Sequence, residues 1–316
     1  MSISLRVVFM GTPAFAVAGL RGILESRHEV VAVVTAPDRP AGRGKKLRFS
    51  AVKEEALAQD IPLLQPEKLN DKDNLNQLKT FNADVFVVVA FRMLPKVVWS
   101  IPSLGTFNLH ASLLPQYRGA APIHWTIING EKETGLTTFL IDEKIDTGAV
   151  LLRQRMTIKP EETMGALSKR MQALSGEMIV KTLDVLASGS ATAVPQPITK
   201  DLIPAPKLTR ENTRVDWGKN GQEIVNHIQG LNPFPTAWSI LELPNEELYV
   251  KLNYAHFVVG RPILPPGTIT IEDQQLNVAV NDGYVYIDEL QLPNKKSMKT
   301  AALLNGFSFP EKSRFI

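Results

Sequence analysis

The chain has no cysteine in its 316 residues. That excludes a disulfide scaffold, a cysteine–zinc site, an iron–sulfur cluster and a thiol nucleophile. An excess of either charge is also missing: 35 basic residues face 32 acidic ones, for a formal net charge of +3. A wholly basic nucleic-acid binder is thereby excluded, and any RNA role must rest on a local patch. No apolar run reaches the ~18 residues of a membrane span. Met1 to Met10 contains a single Arg6 and runs into an apolar segment without a small-residue cleavage site. The expectation is therefore a cytoplasmic protein with no targeting signal and no membrane association. Histidine is sparse, and positions 28, 110, 124, 227 and 256 show no ligand spacing, so no metal site is predicted.

What is present is an ordinary globular composition, 44% apolar and 21% charged, in a chain long enough for two domains. Leu5 to Met10 is β-branched and aromatic, with no helical period, and predicts a buried strand. Thr12 is expected to cap a following helix, with Pro13 in its first turn and Phe15, Val17, Leu20, Ile23 and Leu24 at helical spacing. A second strand is predicted at Val30 to Thr35. Strand, helix and strand within about 30 residues form a βαβ unit, which implies a parallel sheet. Ser50 to Gln59 predicts a helix capped by Ser50. Asp84 to Ala90 predicts the central strand, Thr106 to His110 a short one, and Thr134 to Ile141 with Val150 to Met156 a later pair joined by an acidic loop. Met164 to Leu183 predicts an amphipathic helix ending near Gly189.

Composition then shifts. Ala191 to Leu208 carries Pro195, Pro197, Pro204 and Pro206 with little periodicity, a linker signature. Gly221 to Gly230 predicts one helix. From Tyr249 onward short strands alternate with turns, including a hairpin about Asn281-Asp282-Gly283. The expected architecture is α/β: a Rossmann-like, mostly parallel domain over residues 1–190, a linker over 191–208, and a small all-β barrel over 209–316.

The chemistry concentrates in Asn108-Leu-His110-Ala-Ser112-Leu113-Leu114-Pro115-Gln116-Tyr117-Arg118-Gly119. Asn108 and His110 alternate on a strand and share one face near its carboxyl end, where open α/β sheets bind ligands. A carboxamide can donate to an oxyanion, and an imidazole can move a proton at neutral pH. Asp146, in the loop Ile141 to Gly148, offers a partner for the ring. Taken alone, the triplet equally fits strand-end groups that satisfy loop backbone, and the acidic loop equally fits a solvated hairpin.

In order, these motifs resemble the formyltransferase family that uses 10-formyltetrahydrofolate. The opening Phe9-Met10-Gly11-Thr12-Pro13, the loop Pro37 to Lys46, Gly119-Ala-Ala-Pro122 and Asn232-Pro-Phe-Pro235 extend the resemblance over the whole chain. It implies that Asn108, His110 and Asp146 are catalytic, with Asn108 as oxyanion donor, His110 managing the proton, and Asp146 holding His110. It implies a folate site at Ser112, Leu113, Leu114 and Pro115, lined also by Phe91, Met93 and Leu94. The implied co-substrate is 10-formyltetrahydrofolate, with no metal. The implied acceptor is the α-amine of methionyl initiator tRNA, giving formylmethionyl-tRNA for translation initiation, and the expected state is a monomer. Two departures stand out. Many relatives carry Arg-Trp where this chain has Gln116-Tyr117, and an aromatic-Gly-aliphatic run where it has Phe91-Arg92-Met93.

Arg39, Arg43, Lys45, Lys46 and Arg48 lie together without an acid, and Gly42 and Gly44 suggest a mobile loop. By resemblance this is the insertion that inspects the tRNA acceptor stem: Arg43 inspects, while Arg39, Lys45 and Lys46 complete the contact. The resemblance also implies that the β-rich half is an oligonucleotide-binding-type (OB-type) barrel that supports tRNA binding, yet this half is less basic than such a partner suggests. Thr209 to Ile316 holds 10 basic and 12 acidic residues, against 25 and 20 before it. The alternatives are a formyltransferase for a sugar nucleotide or purine ribotide, and a non-catalytic RNA-binding protein on a degenerate enzyme fold.

Overall fold

Val7 to Met10 are fully buried because strand β1 (Arg6–Gly11) is flanked on both sides by parallel neighbours. The chain leaves β1 through helix α1 (Ala14–Leu24) and returns as β2 (Glu29–Val34), giving the expected βαβ unit. The helix begins one residue later than expected. Pro13, not Thr12, occupies the cap position, and no side chain caps the first turn. The computed structural model describes residues 3–41, 46–197 and 200–316, with the backbone alone at 40, 41, 46 and 47.

A short antiparallel hairpin follows, β3 (Arg39–Ala41) against β4 (Lys46–Arg48), with Arg39 opposite Arg48. The basic segment expected as a mobile loop is thus framed by two paired strands. Arg43 and Lys45 lie outside the described residues, as does the Lys46 side chain, while Arg39 is exposed. The hairpin's root is held by Lys53, whose Nζ donates to Asp38 at 2.5 Å and to Gln65 at 2.9 Å. The Lys53 ammonium, followed by the Gln65 amide, holds the Asp38 carboxyl below the usual carboxylate range.

Ser50 caps α2 (Ala51–Ala58) as expected, its Oγ accepting the Lys53 N–H at 3.0 Å. Next come β5 (Leu63–Leu64), α3 (Lys72–Thr80), β6 (Val85–Val89), α4 (Lys96–Trp99), β7 (Thr106–His110), α5 (Pro122–Ile128), β8 (Glu133–Leu140), β9 (Val150–Thr157) and α6 (Met164–Ala187). The seven-stranded sheet has the order β5-β2-β1-β6-β7-β8-β9, with β6 at its centre and buried throughout. β1, β2, β5, β6 and β7 run parallel, and β8 is antiparallel to β7. The carboxyl ends of β1, β6 and β7 therefore share one edge.

The second half opens with α7 (Gly221–Leu231), fixed by a capping box between Asn220 and Glu223. Seven strands follow: β10 (Ala237–Leu243), β11 (Glu246–Val259), β12 (Ile269–Glu272), β13 (Gln275–Val280), β14 (Gly283–Gln291), β15 (Met298–Lys299) and, after α8 (Thr300–Leu304), β16 (Arg314–Phe315). β11 is far longer than the strand expected at Tyr249. Its amino half pairs with β10 and its carboxyl half with β14, and the register shifts at Leu252 to Ala255 let it bend between them. The path β12-β13-β14-β11-β10-β16 closes on itself. Thr268 bridges Arg314, and the Phe315 N–H donates to the Gly267 carbonyl at 2.8 Å. Closure removes the open edges and yields the OB-type barrel, filled by Val250, Leu252, Leu276, Val285 and Ile287, with Trp217 stacked on Phe315.

The chain forms two compact units. One comprises Met1–Pro122, Thr134–Met156 and Ser168–Pro204; the other comprises Ile123–Glu133, Thr157–Leu167 and Ala205–Ile316. Among the described residues, no helix is long and apolar enough to cross a membrane.

Candidate active site

Asn108 and His110 lie on β7, two residues apart, against Phe139 and Thr137 of β8. His110 is 6% exposed, its ring edge-on to Phe139. Its two nitrogens have different surroundings. Nε2 lies 2.9 Å from the Tyr117 carbonyl oxygen, and Nδ1 lies 3.7 Å from Asp146 Oδ2. A carbonyl only accepts, so Nε2 carries the hydrogen and donates it. The Tyr117 carbonyl therefore orients the ring. At 3.7 Å, Asp146 faces Nδ1 as a charge rather than as a hydrogen-bond partner.

Asn108 stands apart: its Oδ1 is shielded from solvent and has no hydrogen-bond partner. Most buried polar groups are paired, so this oxygen stands as an open hydrogen-bond acceptor two residues from the imidazole.

The acidic loop between β8 and β9 separates into three roles. Asp142 Oδ1 accepts from the Lys144 N–H at 3.0 Å and the Thr147 hydroxyl at 2.7 Å, which shapes the turn. Glu143 pairs at the surface with Lys96, and that pairing holds its carboxyl below the usual range. Asp146 turns inward. Its backbone adopts the left-handed conformation (φ 55°), which aspartate tolerates, and Oδ2 accepts the Gly119 N–H at 2.9 Å. Gly148 is needed for close approach: a Cβ there would lie 1.7 Å from the Leu140 carbonyl oxygen.

The segment after β7 is braced from within. Ser112 is fully buried, and its hydroxyl donates to the Gln116 carbonyl at 2.7 Å. Thr137 Oγ1 donates to the Ser112 carbonyl and accepts the Leu114 N–H. Leu114 is buried with Phe139 and Val150, whereas Leu113 and Pro115 remain partly open. After β6, Ala90 takes a positive φ of 48° and turns the chain along the same sheet edge. Phe91 packs against the core, Leu94 enters it, and Met93 is 72% exposed. Arg92 is anchored by donating to the Pro66 and Glu67 carbonyls at 2.8 and 3.0 Å. Burial, with Arg39 nearby, makes this guanidinium somewhat easier to deprotonate than a free one.

Two contributors escaped the sequence reading. One is the Tyr117 carbonyl, a backbone group with no sequence signature. The other is Gln196, from the proline-rich stretch, whose amide reaches the Asp146 loop. His124 and His227 lie in the other unit, where burial lowers both below the usual imidazole value.

A family model described as "Formyl transferase" matches residues 5–183, and one described as "Formyl transferase, C-terminal domain" matches residues 207–308. The chain is 48% identical over 310 residues to the methionyl-tRNA formyltransferase of Flavobacterium johnsoniae, covering 98% of each. It is 46% identical over 312 residues to that of Bacteroides fragilis, covering 97% of this chain and 96% of the relative. Among solved structures, the sugar 3N-formyl transferase WlaRD aligns with a TM-score of 0.64 at 19% identity, over 93% of this chain and 100% of that one. HypX from Aquifex aeolicus in complex with tetrahydrofolic acid aligns with a TM-score of 0.63 at 18% identity, over 96% of this chain and 47% of that one. At such identities the structures speak for the fold alone. The two family models and the near-full-length identity together show that this chain belongs to the formyltransferase family, among the methionyl-tRNA formyltransferases.

Proposed function

We propose that this chain transfers the formyl group of 10-formyltetrahydrofolate to the free α-amine of methionyl initiator tRNA, giving formylmethionyl-tRNA for translation initiation. The acceptor and donor rest on the near-full-length identity to relatives bearing that name. The observation that carries the chemistry is that the half-buried Asn108, whose Oδ1 is shielded and unpartnered, shares β7 with His110, whose ring faces Asp146.

The donor supplies an N-formyl carbonyl, and the chain's own residues do the rest. The Asn108 amide donates to the carbonyl oxygen as negative charge develops there during attack by the neutral amine. His110 Nδ1, the nitrogen not engaged by Tyr117, takes the proton that the attacking amine sheds and returns it to the folate nitrogen as the C–N bond to the donor breaks. Asp146 balances the ring's charge while the proton resides there. Leu113, Pro115 and Phe91 offer the partly open apolar surface for the folate, and buried Ser112, Leu114 and Leu94 hold that surface in place. The basic hairpin carries the tRNA contact, Arg43 reading the acceptor end and Arg39, Lys45 and Lys46 holding phosphates.

The decisive assay offers 10-formyltetrahydrofolate with charged initiator tRNA, charged elongator methionyl-tRNA and an amino sugar nucleotide. Formylation confined to the initiator species is the expected outcome. Formylation of the sugar nucleotide in place of tRNA would overturn the reading. Arg43→Glu should weaken tRNA use and spare folate binding; unchanged tRNA kinetics would remove the hairpin from the account.

A further inference from the structure

Gln196 lies in the proline-rich stretch between Pro195 and Pro197 and is 9% exposed. A glutamine amide has two hydrogens to give and room for two to accept, and here all four are engaged. Nε2 donates to the Asp146 carbonyl at 3.0 Å and to the Gly148 carbonyl at 2.8 Å. Oε1 accepts from Arg118 Nε at 3.2 Å and Nη2 at 2.6 Å. Arg118 in turn precedes Gly119, whose N–H donates to the Asp146 carboxylate. The two loops that flank His110 are thus joined twice, once directly and once through Gln196.

The backbone around Gln196 is fixed as well. Val194 and Val150 exchange both N–H···O bonds at 2.8 Å, which pins the stretch to the start of β9. Farther along, the Ile203 carbonyl accepts the Tyr117 N–H at 2.7 Å, and the Gln116 side chain brackets Asp201 and Ile203. The same stretch therefore supports the residue whose carbonyl orients the His110 ring.

We infer that Gln196 is a positioning residue for the reaction. Its amide holds the left-handed turn at Asp146, so that the carboxylate faces His110 Nδ1 and not solvent. Among the uncharged side chains, the amide suits this place because it offers donors on one side and an acceptor on the other. Leucine offers neither. Glutamate keeps the acceptor for Arg118 but presents oxygen to two carbonyls. The inference rests on the catalytic reading of Asp146 given above.

The test is a double-mutant cycle on the full chain, followed by steady-state formylation of charged initiator tRNA. Gln196→Leu should lower kcat by about 10- to 100-fold, the range expected when a reacting group is misplaced by about 1 Å. KM for donor and acceptor should stay within about twofold, because only Asp146 has moved. In an Asp146→Ala background the same substitution should cost nothing further. Gln196→Glu, matched in size and still paired with Arg118, should repeat the result and serves if the leucine variant folds poorly. An equal loss in both backgrounds, or a wild-type kcat for both variants, would overturn the inference. A wild-type rate for Asp146→Ala alone would instead overturn the catalytic reading.

Discussion

His110 Nε2 lies 2.9 Å from the Tyr117 carbonyl oxygen, seven residues along the chain, and this contact leaves Nδ1 as the nitrogen that faces Asp146. In the proposed mechanism, with Nε2 committed as donor, the proton moves through Nδ1. Nitrogen-15 NMR of the neutral ring should show the Nε2–H tautomer; a dominant Nδ1–H form would contradict the assignment. His110→Ala should lower turnover by about 10²–10⁴-fold, and Asn108→Ala by about 10²–10³-fold, each with an unchanged far-ultraviolet circular dichroism spectrum.

Gly148 couples the same loop to the sheet. Because a Cβ would approach the Leu140 carbonyl to 1.7 Å, Gly148→Ala must push the Asp146 turn or β8 aside. The expected cost is about 1–3 kcal/mol of stability, together with a fall in kcat. Urea denaturation measured beside steady-state rates checks both, and a variant unchanged in each would show that the strands can part at no cost.

The imidazole of His28 is buried and accepts the Leu5 N–H at its Nδ1, 3.1 Å away, with Asp184 at 3.2 Å from Nε2. Burial is the largest influence and places its pKa below the usual value despite Asp184. A histidine lowered in the folded state takes up its proton first in the unfolded chain. Stability is therefore full above the unfolded value of about 6.5 and declines as pH falls through it, until the folded value is passed. His124 and His227, also lowered by burial, act in the same direction. Thermal melts should shift downward on acidification from about pH 6.5. His28→Asn, which keeps an acceptor near Leu5, should flatten that slope.

Phe315 is 2% exposed and stacks on Trp217, with ring centroids 5.2 Å apart, where the barrel closes. Phe315→Ala should destabilise by about 3–5 kcal/mol. Because Trp217 lies at the seam, its fluorescence should report the change at lower denaturant than the far-ultraviolet signal does. Coincident, unshifted transitions would argue that the seam contributes little to the barrel.

The legible parts of the fold are those where burial writes itself into residue type. β1 and β6 are covered on both faces, so they appear as apolar, mostly β-branched and aromatic runs. α3 went unseen because, of Lys72 to Thr80, only Leu75 and Leu78 are apolar, and part of its anchoring comes from a buried Asn74. β10 was hidden for a related reason. Ala237, Trp238 and Ser239 are all buried in succession, the serine by bonding to Ile316, so no period of two survives. In the site, Asn108, His110 and Asp146 stood out through the ordered motifs of the family resemblance, since their spacing alone fits strand-end and loop groups as well. Gln196 could not, since it lies 50 residues from Asp146 in a stretch whose prolines suggest only a spacer.

The interleaving of the two compact units has a consequence for how the chain is made. Ile123–Glu133 and Thr157–Leu167 belong with Ala205–Ile316. On a ribosome they emerge well before the strands they accompany, and the barrel cannot seal until β16 has emerged. The sheet unit is complete once Pro204 is out, but the other unit must wait with two early segments unsatisfied. Cutting the chain at a single point after Pro204 would therefore part these early segments from the unit they pack with.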